Sequence, residues 1–366
     1  MGKLAFYRDL ISQKFNVETL DKKDLSRLIF GQQHYGTQNF FIKRYGQCHS
    51  IGIDNIPHYL FLENDMLNIS TENIYTDYLK CSWEYLYKNK KTKEEMAEKA
   101  SNFIDLYHKA EKSDMLRDKL FSPPVVICPR PDGKLILVDG NHRAAIAYKL
   151  GFDLKVYYAN PNKYLFKTSL VPDEFYGSKR LSMPYQSLFD GERELVRGRR
   201  PDIYERIRSI DKRDIEGKSV LEFGCNIGSN CFVAAKFGAK SLVGIDYSPK
   251  IISAAIRINT YFATPTTFLV HDLNYPLHDI EPADTVFCFS VINHLQNKHV
   301  LAETLLKTTK NVLYFEGHSK TRLEDYSYLL NSNNFASIEH IGDMRDGIHN
   351  DKRRRPLFRC VIRRTG

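Results

Sequence analysis

Three carboxylates in the second half of the chain, Glu222, Asp246 and Asp272, each close or follow a short apolar run. After the first comes the loop Gly224-Cys225-Asn226-Ile227-Gly228, and the chain then enters the helix-forming stretch Cys231–Lys236. Glycines at 224 and 228 let the backbone approach a ligand that any Cβ would displace. The spacing is neither the G-x-G-x-x-G of dinucleotide folds nor the Gly-Lys-Ser/Thr ending of a phosphate loop. An acid-Gly-x-x-x-Gly turn suits a ligand with a cationic amine and no pyrophosphate. A second candidate is Asp139-Gly140-Asn141-His142-Arg143, between the apolar run Leu135–Val138 and the Ala-rich stretch Ala144–Leu150. Gly140 permits a tight turn, the amides of a helix start point outward, and His142 and Arg143 add positive charge. Together they suit a phosphate.

The elements that must position these residues follow from periodicity and punctuation. From Lys218 onward strand and helix alternate to the end, which is the pattern of a parallel α/β sheet. Its expected strands are Ser219–Phe223, Ser241–Asp246, Thr267–Val270, Asp284–Phe289 and Asn311–Glu316, closed by Ala336–Ile341 and Leu357–Ile362. Upstream, Val125–Cys128 and Leu135–Val138 flank a Pro131-Asp132-Gly133 turn. A helix ended by Gly151 and a strand over Leu154–Tyr158 come next. Thr92 and Glu95 form a capping box ahead of a helix to Ala110, with Met96, Ala100, Phe103, Ile104 and Tyr107 on one face. A further helix is expected from about Thr71 to Tyr87. The run Gln38–Gln47 reads as a strand entering a glycine turn, with Ile51–Ile53 as its returning partner. Pro172, Gly177, Pro184 and Gly191 punctuate an aperiodic stretch. The expected organisation is therefore a domain over 1–170, a linker over 171–199 and a second domain over 200–366.

Composition bounds the function. With 366 residues, two domains are expected. Hydrophobic residues at 42% and charged residues at 27% exclude wholesale disorder. No run approaches the roughly 20 apolar residues that cross a bilayer. The start Met1–Phe6 lacks an apolar signal core, and Phe6 occupies the position where a myristoylation site needs Ser or Thr. Seven scattered cysteines without a CxxC pair indicate neither a disulfide framework nor a zinc knuckle, so a cytoplasmic location and no resident metal are expected. A net charge of +9 suits nucleic acid, an anionic glycan, a nucleotide or an anionic surface without choosing among them. The basic run Lys352–Arg355 reads as a solvated loop.

The segment Glu222–Gly228 resembles the first motif of class I S-adenosylmethionine methyltransferases, with Glu in place of the commoner Asp. The resemblance extends over about residues 200–366 and implies a Rossmann-like seven-stranded sheet with S-adenosyl-L-methionine as methyl donor. Asp246 matches the acid that accepts the ribose hydroxyls, by the logic of an acid after the second strand of a dinucleotide fold. Asp272 matches the position that accepts from the adenine amine. Gly224, Cys225, Asn226, Gly228, Tyr247, Leu273 and Ser290 complete the implied donor site. In such a fold the residues after the fourth and fifth strands face the methyl group, here Asn293, His294, Glu316 and His318. His294 is the leading general base, since imidazole titrates near working pH, and Glu316 is a second catalytic candidate. An Asn/Asp-Pro-Pro-Tyr/Phe run, which nucleic-acid amine methyltransferases of the superfamily carry after the fourth strand, is replaced by Ser290-Val291-Ile292-Asn293. A hydroxyl or phosphate of a sugar, polysaccharide or small molecule is the acceptor this favours.

The stretch 120–160 resembles the ParB/sulfiredoxin-like superfamily, through its strand, Asp-Gly-x-His-Arg turn and Ala-rich helix. The resemblance implies a separate N-terminal α+β domain binding ATP or a relative, with Gly140, Asn141, His142 and Arg143 on the phosphates. Asp139 is then placed for metal or catalysis, with Mg2+ as companion ion, and Glu63, Asp65 or Glu72 would supply an upstream acid. Three functions follow as expectations. One is a two-headed enzyme that phosphorylates and methylates an acceptor. Another is a nucleic-acid methyltransferase with a DNA- or RNA-binding N-terminal domain, and the third a methyltransferase with a nucleotide-sensing module.

Overall fold

The computed structural model describes residues 17–66, 73–87, 92–171, 183–319, 322–345 and 354–363. The chain divides into two compact units, Met1–Thr168 with Ile256–Ala263, and Ser169–Ala255 with Thr264–Gly366.

The first unit is built on a five-stranded sheet of β1 (Val17–Leu20), β2 (Leu28–Phe30), β3 (Val125–Pro129), β4 (Leu135–Asp139) and β5 (Leu154–Tyr158), in the order β1-β5-β3-β4-β2. β3 and β4 form an antiparallel hairpin, β3 runs parallel to β5, and β4 parallel to β2. Helices span Ile74–Tyr87, Lys93–Lys112 and Asn141–Leu150. The Thr92 capping box forms, since Thr92 Oγ1 accepts from Glu95 N at 3.2 Å and Glu95 Oε2 accepts from Thr92 N at 2.9 Å. Ala100, Phe103, Ile104 and Tyr107 are buried along that helix as one face.

Two local expectations are corrected. Tyr35–Tyr45 is a helix, not a strand. The aromatic run Phe40-Phe41 suggests β structure, but Thr37, Gln38 and Phe41 fall on one buried helical face, and both ends are capped. Thr37 Oγ1 accepts from His34 N, and Gly46 closes the helix in the left-handed region at φ 71°. The segment Ile51–Ile53 makes an isolated bridge from Gly52 to Ile29 and then turns into a 3-10 helix over Ile53–Asn55.

The second unit opens with a hairpin of β6 (Leu188–Asp190) and β7 (Arg193–Val196), inside the stretch read as a linker. It continues as a seven-stranded sheet: β8 (Ser219–Phe223), β9 (Ser241–Asp246), β10 (Thr266–Val270), β11 (Ala283–Phe289), β12 (Thr309–Glu316), β13 (Phe335–Arg345) and β14 (Arg354–Ile362). The order is β10-β9-β8-β11-β12-β14-β13. The first five are mutually parallel, and β14 runs antiparallel to both of its neighbours, β12 and β13. Leu221, Phe223, Val286, Leu313 and Phe315 of the central strands pack with Leu301, Leu305 and Phe358 in one apolar cluster. Complete burial of a side chain of this size stabilises the fold by roughly 1.5–3 kcal/mol. From β8 the chain first builds toward β10 and then restarts at β11 on the other side. The carboxyl ends of β8 and β11 therefore flank a switch point, where open α/β sheets bind ligands. Arg354 and Arg355, read as part of a solvated loop, instead open β14, and Arg355 is buried. Lys352 and Arg353 lie outside the described residues.

Candidate functional site

The loop after β8 is shaped by close approach. Gly224 N and Cys225 N donate to Ile245 O of β9 at 2.8 and 2.9 Å. Gly224 has φ 74°, and a Cβ there would lie 2.3 Å from Val291 Cγ2; a Cβ on Gly228, φ 83°, would lie 2.6 Å from the Phe268 ring. A side chain at Gly224 would enter the cavity beside Val291, whereas one at Gly228 would strike the Phe268 ring under the loop. Asn226 between them takes φ 51°, and its Oδ1 is buried with no partner among the described residues. Asp246, 6% exposed, receives Asn226 N at 3.0 Å and Ser248 N at 3.1 Å. That clamp fixes the carboxylate at the wall of a cavity of about 360 Å3. Asp272, with Oδ1 held by Asn274 N and Nδ2, lines the cavity beyond β10, beside Leu273 and Tyr247.

On the other side of the switch point, Ser290 follows β11 at φ 58°. Its backbone N donates to Glu316 O at 3.0 Å and its hydroxyl to Glu316 Oε1. Ser290, Val291 and His294 line the same cavity, with His294 at its exposed edge. The rings of His294 and His318 lie 6.5 Å apart. The structure thus brings together Gly224, Asn226, Asp246, Tyr247, Asp272, Leu273, Ser290 and His294 around one cavity.

Three residues expected in the donor site do not line that cavity. Glu222 is 1% exposed and lies behind the loop, accepting from Asn230 Nδ2 at 2.6 Å and from the Cys231 thiol at 3.0 Å. Burial pushes its carboxyl up to about 7, against the pull of Cys231, Asn230 and Arg206. Cys225 is fully buried, and Gly228 is packed under Phe268.

Glu316 is corrected more sharply. It is completely buried at the end of β12 among guanidinium groups, with Arg206 Nε at 2.7 Å from Oε2 and Arg200 Nη2 at 3.6 Å from Oε1. A carboxylate whose oxygens are taken up by guanidinium groups in this way is their counter-ion, and Glu316 does not line the cavity. Asp202 completes the cluster, binding Arg200 through Nε at 2.9 Å and Nη2 at 2.7 Å, and Arg206 through Nη2. Burial alone would raise Asp202, yet Arg206 and Arg200 outweigh it and hold its carboxyl below the usual range. Arg206 also lies over the Phe289 ring at 5.0 Å and donates to Asn230 Oδ1 at 3.4 Å. Arg200, Arg206, Asn230 and Gln186 line the cavity, and sequence reasoning missed all four. The only signal was the pair of basic residues Arg199-Arg200 before Pro201.

The first unit has its own cavity, of about 530 Å3, where β4 turns into the Asn141–Leu150 helix. Asp139, Gly140, Asn141, His142 and Arg143 all line it, with Lys99 and Asn102 opposite. Gly140 takes φ 96° and Asn141 Nδ2 donates to Gln32 Oε1 at 3.1 Å. His142 Nε2 lies 2.7 Å from Tyr75 Oη, with the Phe103 and His58 rings perpendicular to it at 4.5 and 4.7 Å. Burial, reinforced by His142 and Lys99, holds His58 well below the usual imidazole value. Arg143 departs from its expected role. It donates to Pro123 O and lies 3.6 Å from Asp139, four residues earlier on the same turn. Of the upstream acids, Glu63 is paired with Lys149, and Glu72 lies outside the described residues. Among the described residues no group of three or more His, Cys, Asp or Glu side chains is arranged to hold a metal ion, and no helix is long and apolar enough to cross a membrane.

Comparison with known proteins bears on the second unit. A stretch of 46 residues is 48% identical to ribosomal protein L11 methyltransferase of Histophilus somni (strain 2336), covering 13% of this chain and 16% of that protein. The enzyme of the same name from Pasteurella multocida (strain Pm70) is 46% identical over 46 residues, with the same coverage. The match therefore spans about one sixth of these curated relatives. Among solved structures, magnesium protoporphyrin IX methyltransferase (ChlM) from Synechocystis PCC 6803 with bound SAM is 22% identical at a TM-score of 0.38, covering 44% of this chain and 78% of that one. The bifunctional kinase-methyltransferase WbdD is 20% identical at a TM-score of 0.40, covering 51% and 46%. The family model described as a methyltransferase domain matches residues 195–344, which hold the glycine loop, Asp246, Asp272 and Ser290. Residues 195–344 thus match a methyltransferase domain, on a sheet of five parallel strands closed by an antiparallel pair.

Proposed function

We propose that the chain is an S-adenosylmethionine-dependent methyltransferase acting on a hydroxyl or phosphate of a sugar, polysaccharide or small molecule. The observation that carries this reading is the cradle at the switch point, where Asp246, clamped by two backbone amides, faces a cavity that a Cβ at Gly224 would narrow. In this reading Asp246 receives the ribose hydroxyls, Asp272 and Leu273 hold the base, and Asn226 Oδ1 offers a buried acceptor. Glu222 supports the loop through Asn230. When bound, the donor supplies an electrophilic methyl on a sulfonium. His294, at the cavity edge, orients the acceptor hydroxyl and removes its proton, a contribution of roughly 100- to 10,000-fold. Cys288 lies fully buried inside β11, which argues against a cysteine nucleophile.

The test is calorimetry with S-adenosylhomocysteine, followed by acceptor screening with labelled donor. Wild-type protein is expected to bind, and Asp246→Ala to weaken binding about 100-fold, as expected for removing an acceptor of charge-assisted bonds. No heat with the wild type overturns the reading.

A second reading concerns residues 1–170, as a ParB/sulfiredoxin-like nucleotide-binding domain joined through 171–199 to the methyltransferase domain at 200–366. The cavity at the start of the Asn141–Leu150 helix favours it. Backbone amides at Gly140–His142 and the Lys99 ammonium would meet the phosphates of ATP, and Asp139 its Mg2+, in a domain that phosphorylates the acceptor before methylation. Loss of nucleotide-dependent phosphorylation in Asp139→Ala, with methylation of a pre-phosphorylated acceptor retained, is the expected result. Methylation that never depends on nucleotide counts against it.

A further inference from the structure

The cavity of the first unit has an inner end whose polar groups are incompletely paired. Gln32 Nε2 donates to Val138 O at 2.8 Å and to Asp139 Oδ1 at 3.4 Å, which turns Gln32 Oε1 to accept from Asn141 Nδ2 at 3.1 Å. Turning either amide over would set like against like, so the row has one orientation. Asn141 Oδ1 is left over at its end. It is buried, on a residue 5% exposed, and has no hydrogen-bond partner among the described residues. His58, 2% exposed, leaves its Nδ1 without one as well. Both residues line the cavity. Burial keeps His58 neutral, with one N–H to give and one lone pair to offer.

A buried polar atom without a partner is costly, and two at one cavity mark a place that a ligand completes. Around them Tyr78, Trp83, Phe103 and Leu106 line the same space with ring faces and apolar surface. Water would satisfy the polar atoms yet leave those faces wetted. A phosphate brings acceptors only, and Asn141 Oδ1 needs a donor. Charge points the same way. Arg143 is taken up by Pro123 O and Asp139, so the exposed Lys99 is the basic side chain left facing the cavity among the described residues. A sugar ring meets both demands. Its hydroxyls donate and accept around the rim, and the C–H groups of its faces lie flat on aromatic rings. A cavity of about 530 Å3 has room for such a ring and a substituent.

We infer that this cavity binds a sugar ring, with ring hydroxyls on Asn141 Oδ1 and His58 Nδ1 and a ring face on the aromatic wall. The ring belongs to a free saccharide or is the ribose of a nucleoside, and the hydroxyl chemistry is the same for both. Gln32 is a positioning residue, which keeps the Asn141 acceptor turned toward the ligand. The inference is independent of the methyl-donor site and of whether a phosphate occupies the turn at Gly140.

Trp83 is the single tryptophan of the chain, so its emission, excited where tyrosine does not absorb, reports on this cavity in the full chain. The probes are D-glucose, D-galactose and D-mannose with tetrahydropyran as their ring without hydroxyls, adenosine with 2′,3′-dideoxyadenosine, and ATP. A hexose or adenosine should change Trp83 emission saturably, and which of them does so identifies the source of the ring. The partner without hydroxyls should bind about 10-fold more weakly or not at all, the worth of one buried hydrogen bond. Asn141→Ala should weaken the sugar that binds by a similar factor, with its circular-dichroism melt unchanged. If that variant fails to fold, the paired probes on wild-type protein decide. Equal binding within the pairs, or a folded Asn141→Ala that binds as the wild type does, overturns the inference. So does wild-type protein that binds neither a hexose nor adenosine; ATP binding in that case leaves the nucleotide reading standing on its phosphates alone. Hexose binding without ATP binding sustains the inference and removes the nucleotide reading.

Discussion

Two turns in this molecule share one design and differ in what they leave available. After β4 and after β8 a strand ends, a left-handed glycine turns the chain, and a helix begins, at Gly140 and at Gly228. At the first turn the guanidinium is consumed locally. Arg143 is held by Pro123 O and Asp139, so the cavity's cationic character falls to Lys99 and the helix amides. At the second, the arginines that line the cavity come from outside the motif and are held by Asp202 and Glu316. A motif thus sets where a backbone can approach a ligand. The charge that recognises the ligand depends on what else the fold delivers there.

The sharpest way to break this comparison is at the methyl end of the second turn. His294→Ala should lower kcat by roughly 100- to 10,000-fold with little change in donor affinity. Single-turnover kinetics with labelled donor measure it, and an unchanged rate removes His294 as the base.

A smaller effect tests the support behind the loop. Glu222 has an ordinary carboxyl value of 4.5 when unfolded and about 7 when folded. The folded state therefore keeps a proton between these values that the unfolded state releases. This contribution is most favourable below pH 4.5 and is lost as pH rises through 7, in total about 3 kcal/mol. Glu222→Gln lacks that decline. Denaturant melts should show the variant gaining on the wild type between pH 5 and pH 8, and parallel pH profiles would refute the assignment.

The smallest expected effect concerns the first turn. Lys99→Gln should weaken nucleotide binding several-fold, by loss of an exposed phosphate contact, whereas Arg143→Gln should change it little. Fluorescence titration with a labelled ATP analogue reads both. The reverse order would mean that Arg143 abandons Pro123 when ligand arrives.

The glycine loop, its strands and Asp246 were legible because each is encoded within about two dozen residues, by alternation, glycine and a terminal acid. The arginine cluster was not, since Arg206 and Glu316 meet across 110 residues and the first lies in the short helix Ile203–Arg208, for which the sequence reading offers no element. The sequence reading puts Glu222 on the donor, whereas the structure holds it behind the loop. Sequence shows that an acid lies near the strand end, whereas Asn230 and Cys231, in the first turn of the following helix, decide that it faces them. The Tyr35–Tyr45 helix was missed because aromatic residues favour strands only when a neighbouring strand receives them. Here the caps at His34 and Gly46 prevailed.

Ser290 has a bearing on how this enzyme can diversify. A serine in the left-handed region costs of order 1 kcal/mol, and its main chain and hydroxyl both pin it to Glu316. Selection for new acceptors is therefore free to rewrite the chain from Val291 onward, but position 290 is anchored to the same buried carboxylate that orders the arginines. An engineer grafting a foreign acceptor loop onto this scaffold should cut after Ser290, not before it.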